Sequence, residues 1–228
     1  MHLGNNATLS GMAERPFARG RSKSAYEQGP YVRLSVDSEW TPEQCESLIV
    51  LATIAHLLFP ENTPEPISAW IDMHTRKPNL LFEKIQHDQW HARVQHLQKS
   101  IVSWLFTKEG RGARKYVATL SISREYKEIK EKFFNAGLFY DISPHNLIRH
   151  PNGKLIMVDF LPAFIVFKHP TRGEISNTNF DAVKLLTAIN SLKGSSRQIA
   201  LSCYQRLKKI APASLSPQLP SHNITIGT

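Results

Sequence analysis

The chain is poor in cysteine and has no long apolar run. Cys45 and Cys203 are its two cysteines in 228 residues, too few for a disulfide framework or a cysteine-based zinc site. No apolar run approaches the roughly 20 residues that a membrane-spanning helix needs. Residues 1–11 have neither the basic start nor the apolar core of a cleavable export signal. We therefore expect a reducing compartment and no membrane span, which leaves dedicated secretion machineries open.

The chain also has little negative charge. It contains 28 Lys and Arg against 19 Asp and Glu, for a formal net charge of +9. Such a charge attracts nucleic acids, anionic membrane surfaces and acidic proteins. The basic residues are spread along the chain, however, and no aromatic-interleaved basic motif of an RNA-binding domain occurs. We therefore expect a generally basic surface and no nucleic-acid partner.

The spacing of apolar residues changes from strand-like to helix-like along the chain. Alternation at period two predicts a strand over residues 31–36, with two more strands over 66–71 and 79–85. Between them, Thr41-Pro42-Glu43-Gln44 is typical of a helix start and precedes an apolar-striped helix over 43–58. Beyond residue 85, helices are predicted at 90–106, 123–135, 179–192 and 195–209, with short strands at 146–149 and 155–158.

This order of elements predicts an α+β protein with two parts and a tail. We expect a small antiparallel sheet with one helix over residues 1–85, followed by a mostly helical part over residues 86–209. Residues 210–228 are dominated by Pro, Ser and polar residues. They can bury too little apolar surface to repay the entropy of ordering, so we expect a disordered tail.

A set of polar residues follows the helix predicted at 123–135. Asp141 and Asn146 lie in a loop, and Asp159 follows the second strand of a predicted hairpin. Phosphoryl transfer needs a carboxylate near the attacking hydroxyl and oxygen ligands that hold Mg²⁺ between the phosphates. A loop followed by a hairpin can bring these groups together, which predicts a phosphoryl-transfer site. The competing interpretation is a turn with a capping Asn and an edge-strand Asp.

The residues Asp141, Asn146 and Asp159-Phe160 resemble motifs of the protein kinase-like superfamily. Its catalytic loop has the form H-R-D-x-x-x-x-N and is followed, after a hairpin, by D-F-G. The resemblance implies a two-lobed kinase-like fold that uses ATP and Mg²⁺. Asp141 would then orient or deprotonate the acceptor hydroxyl as the catalytic residue, while Asn146 and Asp159 would hold the metal.

The resemblance extends upstream to a nucleotide-binding part. Residues 16–26 resemble a strand, a loop that covers the phosphates and a second strand, with Gly20, Ser22 and Lys23 as nucleotide contacts. Arg33 stands where the family's next strand has a phosphate-binding lysine. The resemblance therefore implies that Arg33 holds phosphate, alone or with Lys23, and leaves Lys23 as the alternative source of the charge.

Two further nucleotide-binding features are implied by the resemblance. Glu46, with Glu43 as second choice, would be the helix carboxylate that pairs with the phosphate-holding cation, although a solvated surface role is equally open to it. Backbone groups from Glu83 to Ile85 would bind adenine at the hinge.

Asp181 has two possible roles. It would either brace the catalytic loop or serve as a carboxylate at a helix N-terminus.

Several departures from the family pattern narrow the resemblance. Phe139, Tyr140 and Leu161 replace the usual His, Arg and Gly, no A-P-E element follows, and the stretch from Asp159 to Asp181 is short. The pattern is similar to compact bacterial kinases, the YrbL-like proteins and the minimal secreted effector kinases. That similarity implies an atypical serine/threonine-type protein kinase, cytoplasmic or secreted into a host cell, with control, if any, by an activating protein partner.

Two other functions stay open at this point. Arg33 stands where the family's strand has its phosphate-binding lysine. The loss of that lysine favours an ATP-binding pseudokinase that serves as a binding or regulatory module. The short segment after Asp159 leaves no defined platform for docking a protein, which favours a small-molecule kinase.

Overall fold

The computed structural model describes residues 16, 18–19, 23–37, 40–86, 105, 107–169 and 173–212. Their first part is an antiparallel sheet with one helix, and their second part is mostly helical. The predicted α+β class, sheet first and helices after, is confirmed. Apart from residue 105, the helix predicted at 90–106 lies outside these residues, as does the predicted tail beyond residue 212. Across the described part, no helix combines the length and hydropathy that a membrane crossing requires.

The sheet has five strands in the order β1-β2-β3-β5-β4, and every neighbouring pair is antiparallel. Gln28 pairs with Tyr31 across a two-residue loop, where Gly29 takes a φ of 60°, as the first position of a tight hairpin turn requires. The strands are β1 Ala18–Arg19, β2 Lys23–Gln28, β3 Tyr31–Val36, β4 Pro66–Ile71 and β5 Pro78–Glu83.

The register of β2 and β3 decides which side chains face the interior. Lys23 pairs with Val36 and Ala25 with Leu34, so these four side chains share one face of the sheet. Val36 is buried on that face. Arg33 lies one residue out of phase with Leu34 and therefore projects from the opposite face.

Helix α1, Pro42–Leu58, begins as predicted. The Gln44 amide donates to Thr41 Oγ1 (3.2 Å), and the Thr41 amide donates to Gln44 Oε1 (2.9 Å), which completes a capping box behind Pro42. The helix buries one broad face against the sheet and the helical part. The buried residues of α1 are Gln44, Cys45, Ser47, Leu48, Leu51, Ala52, Ile54 and Ala55.

The helical part contains four described helices and two hairpins. Three of the helices match the predicted ones to within three residues at each end, whereas α2 and the hairpin of β8 and β9 were not predicted. The helices are α2 Lys108–Ile122, α3 Arg124–Asn135, α4 Ala182–Ser191 and α5 Gly194–Ile210, and the strands are β6 Leu147–Arg149, β7 Leu155–Met157, β8 Phe164–His169 and β9 Gly173–Thr178.

The chain between α3 and the polar loop is fixed against the start of α4. Gly137, with a φ of 75°, follows the end of α3, where a glycine in the left-handed conformation commonly ends a helix. The Asp181 amide donates to Gly137 O (2.8 Å). The Asp181 carboxylate accepts from the amides of Val183 and Lys184 (both 3.0 Å) and caps α4. Asp181 therefore braces the entry to the loop through its backbone and caps a helix through its side chain.

Candidate active site

Asp141 and Asn146 are joined directly within the loop that precedes β6. Asn146 Nδ2 donates to the backbone oxygen of Asp141 (2.8 Å) and to its carboxylate atom Oδ2 (3.3 Å). The loop closes with a 3-10 turn, in which the Asn146 amide donates to Ser143 O (2.9 Å). Tyr126 Oη donates to Ile142 O (2.9 Å) and ties the loop to α3. Because these bonds are local, the spacing of Asp141 and Asn146 in the sequence sets their relative position.

The hairpin of β6 and β7 brings Asp159 next to Asn146. Leu147 pairs with Met157, and the Val158 amide donates to Asn146 O (3.0 Å). Asn146 thus lies beside the residue that precedes Asp159. The predicted hairpin is the element that joins the loop residues to the third member of the site.

Lys23 reaches this site from the sheet. Its ammonium group forms an ion pair with Asp159 Oδ1 and donates to the backbone oxygen of Phe160 (2.9 Å). The Lys23 side chain is 14% exposed and that of Asp159 is 35% exposed. A strand cation and a carboxylate far along the chain therefore meet at the junction of the sheet and the helical part.

Aromatic packing fixes the backbone on both sides of the site. Phe160 stacks on Phe82 of β5, with ring centroids 5.2 Å apart and an interplanar angle of 12°. It also meets Tyr140 edge-on at 5.4 Å, and Tyr140 meets Phe133 at 6.0 Å. Phe160 is almost fully buried. The residue before Asp141 and the residue after Asp159 are thus held in one packed cluster.

Tyr140 is buried in this cluster as a neutral phenol. Burial raises the pKa of Tyr140 far above its ordinary value. Its hydroxyl finds no hydrogen-bond partner in the described structure. Tyr140, which replaces the Arg of the family motif, is therefore a packing residue and carries no charge near Asp141.

His145 lies beside Asn146 in the loop. Burial lowers the pKa of His145, and the nearby charge of Asp141 opposes that shift. Because burial is the larger effect, the imidazole is neutral near pH 7.

Arg33 does not reach the site, contrary to its predicted contact with phosphate. Its guanidinium group donates to Asn79 Oδ1 (2.9 Å) and lies 4.2 Å from the centre of the Tyr26 ring. The reason is the alternation of side chains along β3, which directs Arg33 away from the face that carries Lys23. The two-residue turn at Gly29 and Pro30 fixes that register, so it was the signal in the sequence that could have excluded Arg33.

Glu46 is also engaged elsewhere. It forms an ion pair with Arg206 of α5, because it lies at the edge of the buried face of α1, where α5 packs against the helix. The predicted pair between Glu46 and a phosphate-holding cation is absent from the described structure. Glu43, the second choice, is exposed in the first turn of α1.

The predicted hinge begins at the end of β5. The Glu83 amide donates to Glu65 O (2.9 Å) and the Lys84 amide to Pro30 O (2.9 Å), so these two donors are already used within the fold. Ile85 follows and is half-buried. Gly20 and Ser22, predicted to contact the nucleotide, lie outside the described residues.

The donor set fits Mg²⁺ in type. Mg²⁺ prefers oxygen ligands and is usually bound by one or two carboxylates together with substrate phosphates. Asp159 supplies a carboxylate, and Asn146 can supply its amide oxygen because its amide nitrogen makes both bonds to Asp141. In the described part of the chain, no group of three or more His, Cys, Asp or Glu side chains could hold a metal ion, so the proposed ligands here are one carboxylate and one side-chain amide oxygen.

Comparison with known proteins gives a distant structural similarity. No family model matches the chain, and no curated protein matches it. Among solved structures, the chain is similar to the GDP complex of wild-type aminoglycoside 2'-phosphotransferase-IIIa, with 10% sequence identity, 89% of this chain and 85% of that chain covered, and a TM-score of 0.30. A similarity at this level carries no argument about activity, so the interpretation of the site depends on its own geometry.

Proposed function

We propose that the chain is an ATP- and Mg²⁺-dependent phosphotransferase of protein kinase-like architecture. The acceptor is a hydroxyl group, and the acceptor molecule we propose is a protein. Asp141 is the proposed catalytic residue, Asn146 and Asp159 are the proposed metal ligands, and Lys23 takes the role of the phosphate-holding cation in place of Arg33.

One observation carries this proposal: Lys23, from the sheet, joins three residues of segment 141–159 in one connected set. Asn146 bonds to Asp141 through its side chain and to Val158 through its backbone, and Asp159 pairs with Lys23. A turn with a capping Asn and an edge-strand Asp would not need a lysine from another sheet. Phosphoryl transfer needs all four groups, because it depends on positioning and charge stabilisation.

The residues divide the work by their chemistry. The Asp141 carboxylate accepts the proton of the acceptor hydroxyl as its oxygen attacks the terminal phosphorus, and the bond to the leaving diphosphate oxygen breaks with its electron pair. Lys23 is a compact point charge suited to phosphate oxygens. In the nucleotide complex Lys23 would bind phosphate oxygens, and Asp159 would hold the metal. Bound Mg²⁺ would neutralise the charge that develops on the phosphate oxygens.

The two acidic residues are distinguished by one experiment. The full chain is incubated with labelled ATP and Mg²⁺, with either a cell lysate or a set of small hydroxyl compounds as acceptor. We expect Asp159→Ala and Asp141→Ala to abolish transfer. Calorimetry should show that Asp141→Ala still binds Mg²⁺-ATP, because the base contacts the acceptor. The exposed Asp37, which pairs with Lys77 at the surface, provides the control Asp37→Ala.

The outcomes separate the alternatives. Label in proteins supports the protein acceptor, and label in a small compound identifies a small-molecule kinase. Nucleotide binding without transfer to any acceptor would favour a pseudokinase that works as a binding module. Transfer that survives Asp159→Ala would contradict the site assignment.

A further inference from the structure

Helix α1 contacts the chain beyond Asp159 through a buried serine. The Ala163 amide donates to Ser47 Oγ (3.1 Å), and Ser47 Oγ donates to Gln44 O (2.8 Å). Ser47 and Ala163 are both 0% exposed. Because water cannot replace a partner in this position, the bond fixes the backbone four residues after Asp159 to the helix.

The turn after α1 contacts the chain before Asp159. The Met157 amide donates to Asn62 O (2.8 Å), and Asn62 Nδ2 donates to Leu155 O (2.9 Å). Asn62 therefore binds the edge of β7 that faces away from β6. Next to it, Lys154 forms an ion pair with Glu61 (2.8 Å). The strand that leads into Asp159 is thus held from both edges.

Resting on the function proposed above, we propose that Ser47 and Asn62 are positioning residues for Asp159. We call the two residues the α1 bracket. Ser47 fixes the backbone after the carboxylate and Asn62 fixes the strand before it, so together they set where Asp159 stands relative to Asn146 and Lys23. The bracket consists of neutral hydrogen bonds, which explains how α1 can act on the site while Glu46 is paired with Arg206.

The test uses the full chain with Mg²⁺ and ATP as probes. Ser47→Ala removes the hydroxyl that accepts from the Ala163 amide. Asn62→Asp replaces the Nδ2 donor to Leu155 O by a carboxylate oxygen, so two acceptors face each other. The quantity measured is the Mg²⁺ concentration at which ATP produces half of its maximal shift in Tm. We expect each change to raise this concentration by about 10- to 100-fold, the range for residues that orient metal ligands. Hydrogen exchange of the amides of Val158 to Leu161 and of Ala163 should be faster in the ligand-free variants.

Matched controls lie on α1 and on the hairpin that Asn62 contacts. Thr53 Oγ1 bonds within α1 to Ile49 O (2.8 Å), so Thr53→Ala removes a hydroxyl from the helix without touching the bracket. Asn152 Oδ1 accepts from the Lys154 amide in the hairpin turn (3.0 Å), so Asn152→Asp repeats the chemical change of Asn62→Asp and keeps its acceptor. Both controls should behave as the wild type.

The outcomes separate the bracket from the proposed function. Wild-type Mg²⁺ dependence and exchange rates in both bracket variants would overturn the bracket. If ATP and Mg²⁺ do not shift the Tm of the wild type, the proposed function fails. Hydrogen exchange in the ligand-free protein then tests the bracket by itself. Faster exchange in the variants supports the bracket, and wild-type rates overturn it. If Ser47→Ala does not fold, Asn62→Asp decides, because its side chain is at a partly exposed turn.

Discussion

Lys23 is the cation that the sheet directs at Asp159. Its face is set by pairing with Val36, and its side chain is largely shielded from water. Removing one partner of a partly buried ion pair destabilises the protein, because the remaining charge stays desolvated. Lys23 and Asp159 therefore stabilise each other, and the loss of either partner would leave the other charge unpaired.

The contrast between Lys23 and Arg33 gives a prediction at this scale. Lys23→Ala should lower turnover about 100-fold or more, the cost of removing one charge-stabilising donor from an active site. Arg33→Ala should leave turnover unchanged. It should lower the free energy of unfolding by about 1 kcal/mol or more, because Oδ1 of the buried Asn79 loses the donor that Arg33 provides, while Asn79 Nδ2 keeps its bond to Lys77 O. Steady-state kinetics measure the effect on turnover, and urea unfolding measures the effect on stability. An inactive Arg33→Ala together with an active Lys23→Ala would contradict the assignment of Lys23 as the cation of the site.

The local geometry of this set follows from the spacing in the sequence, whereas the distant cation was left open between Arg33 and Lys23. Asp141 and Asn146 are five residues apart in one loop, so their spacing carries their geometry. Asp159 follows from the hairpin. The partners of Arg33 and Glu46 depend on strand register and on the packing of α5 against α1, neither of which a motif contains.

At the scale of elements, Gly137 joins the end of α3 to the start of α4. A Cβ at this position would lie 2.7 Å from Asp181 O and 2.8 Å from Lys184 Cβ, on a backbone with a φ of 75°. A side chain would thus meet both an unfavourable backbone conformation and the backbone of the neighbouring helix. The close approach lets the Asp181 amide bond to Gly137 O, which holds the segment that enters the loop of Asp141 and Asn146.

A comparison of Gly137 with Gly153 separates the effect of steric contact on stability from that of backbone conformation. Gly137→Ala should lower the free energy of unfolding by more than about 2 kcal/mol, since steric overlap adds to the strain of a positive φ. Gly153→Ala, at a φ of 89° with open space around it, should lose only about 1 kcal/mol. Urea unfolding of both variants measures the difference, and equal losses would mean that the contact with α4 contributes nothing.

Elements with strong periodicity were predicted, and those with weak patterns were missed. Helix α1 carries its start signal and apolar face in the sequence. Helix α2 has two glycines near its start, and its buried residues are Gly110, Ala113 and Leu120, so small residues give it little apolar periodicity. The hairpin of β8 and β9 fell in a segment that the resemblance treated only as a shortened loop.

At the scale of the whole molecule, one connected cluster of buried side chains runs from the sheet through α1 to the helical part. The aromatic contacts of Phe160 with Phe82 and Tyr140 lie within it. Large-to-small changes in such a cluster are felt across it, because the packing is dense. The proposed site therefore depends on the fit between the sheet and the helical part as well as on its own residues.

Between Asp159 and Asp181, the described residues are held by their own hydrogen bonds, and this gives the last prediction. Strands β8 and β9 pair along their whole length. Asn179 closes their base, with its side chain donating to Pro162 O (2.7 Å) and its amide to Ala163 O (2.8 Å). Tyr140 is a buried neutral phenol, so it offers no positive charge to a phosphate group.

We therefore expect activity without phosphorylation of this segment. Phosphatase treatment of the full chain, verified by mass spectrometry, should leave turnover equal to that of a mock-treated sample, with Asp159→Ala as the inactive reference. An order–disorder switch driven by phosphate would need a segment that is unpaired before modification. A preparation that phosphatase inactivates, and that phosphorylation between Asp159 and Asp181 restores, would contradict this expectation.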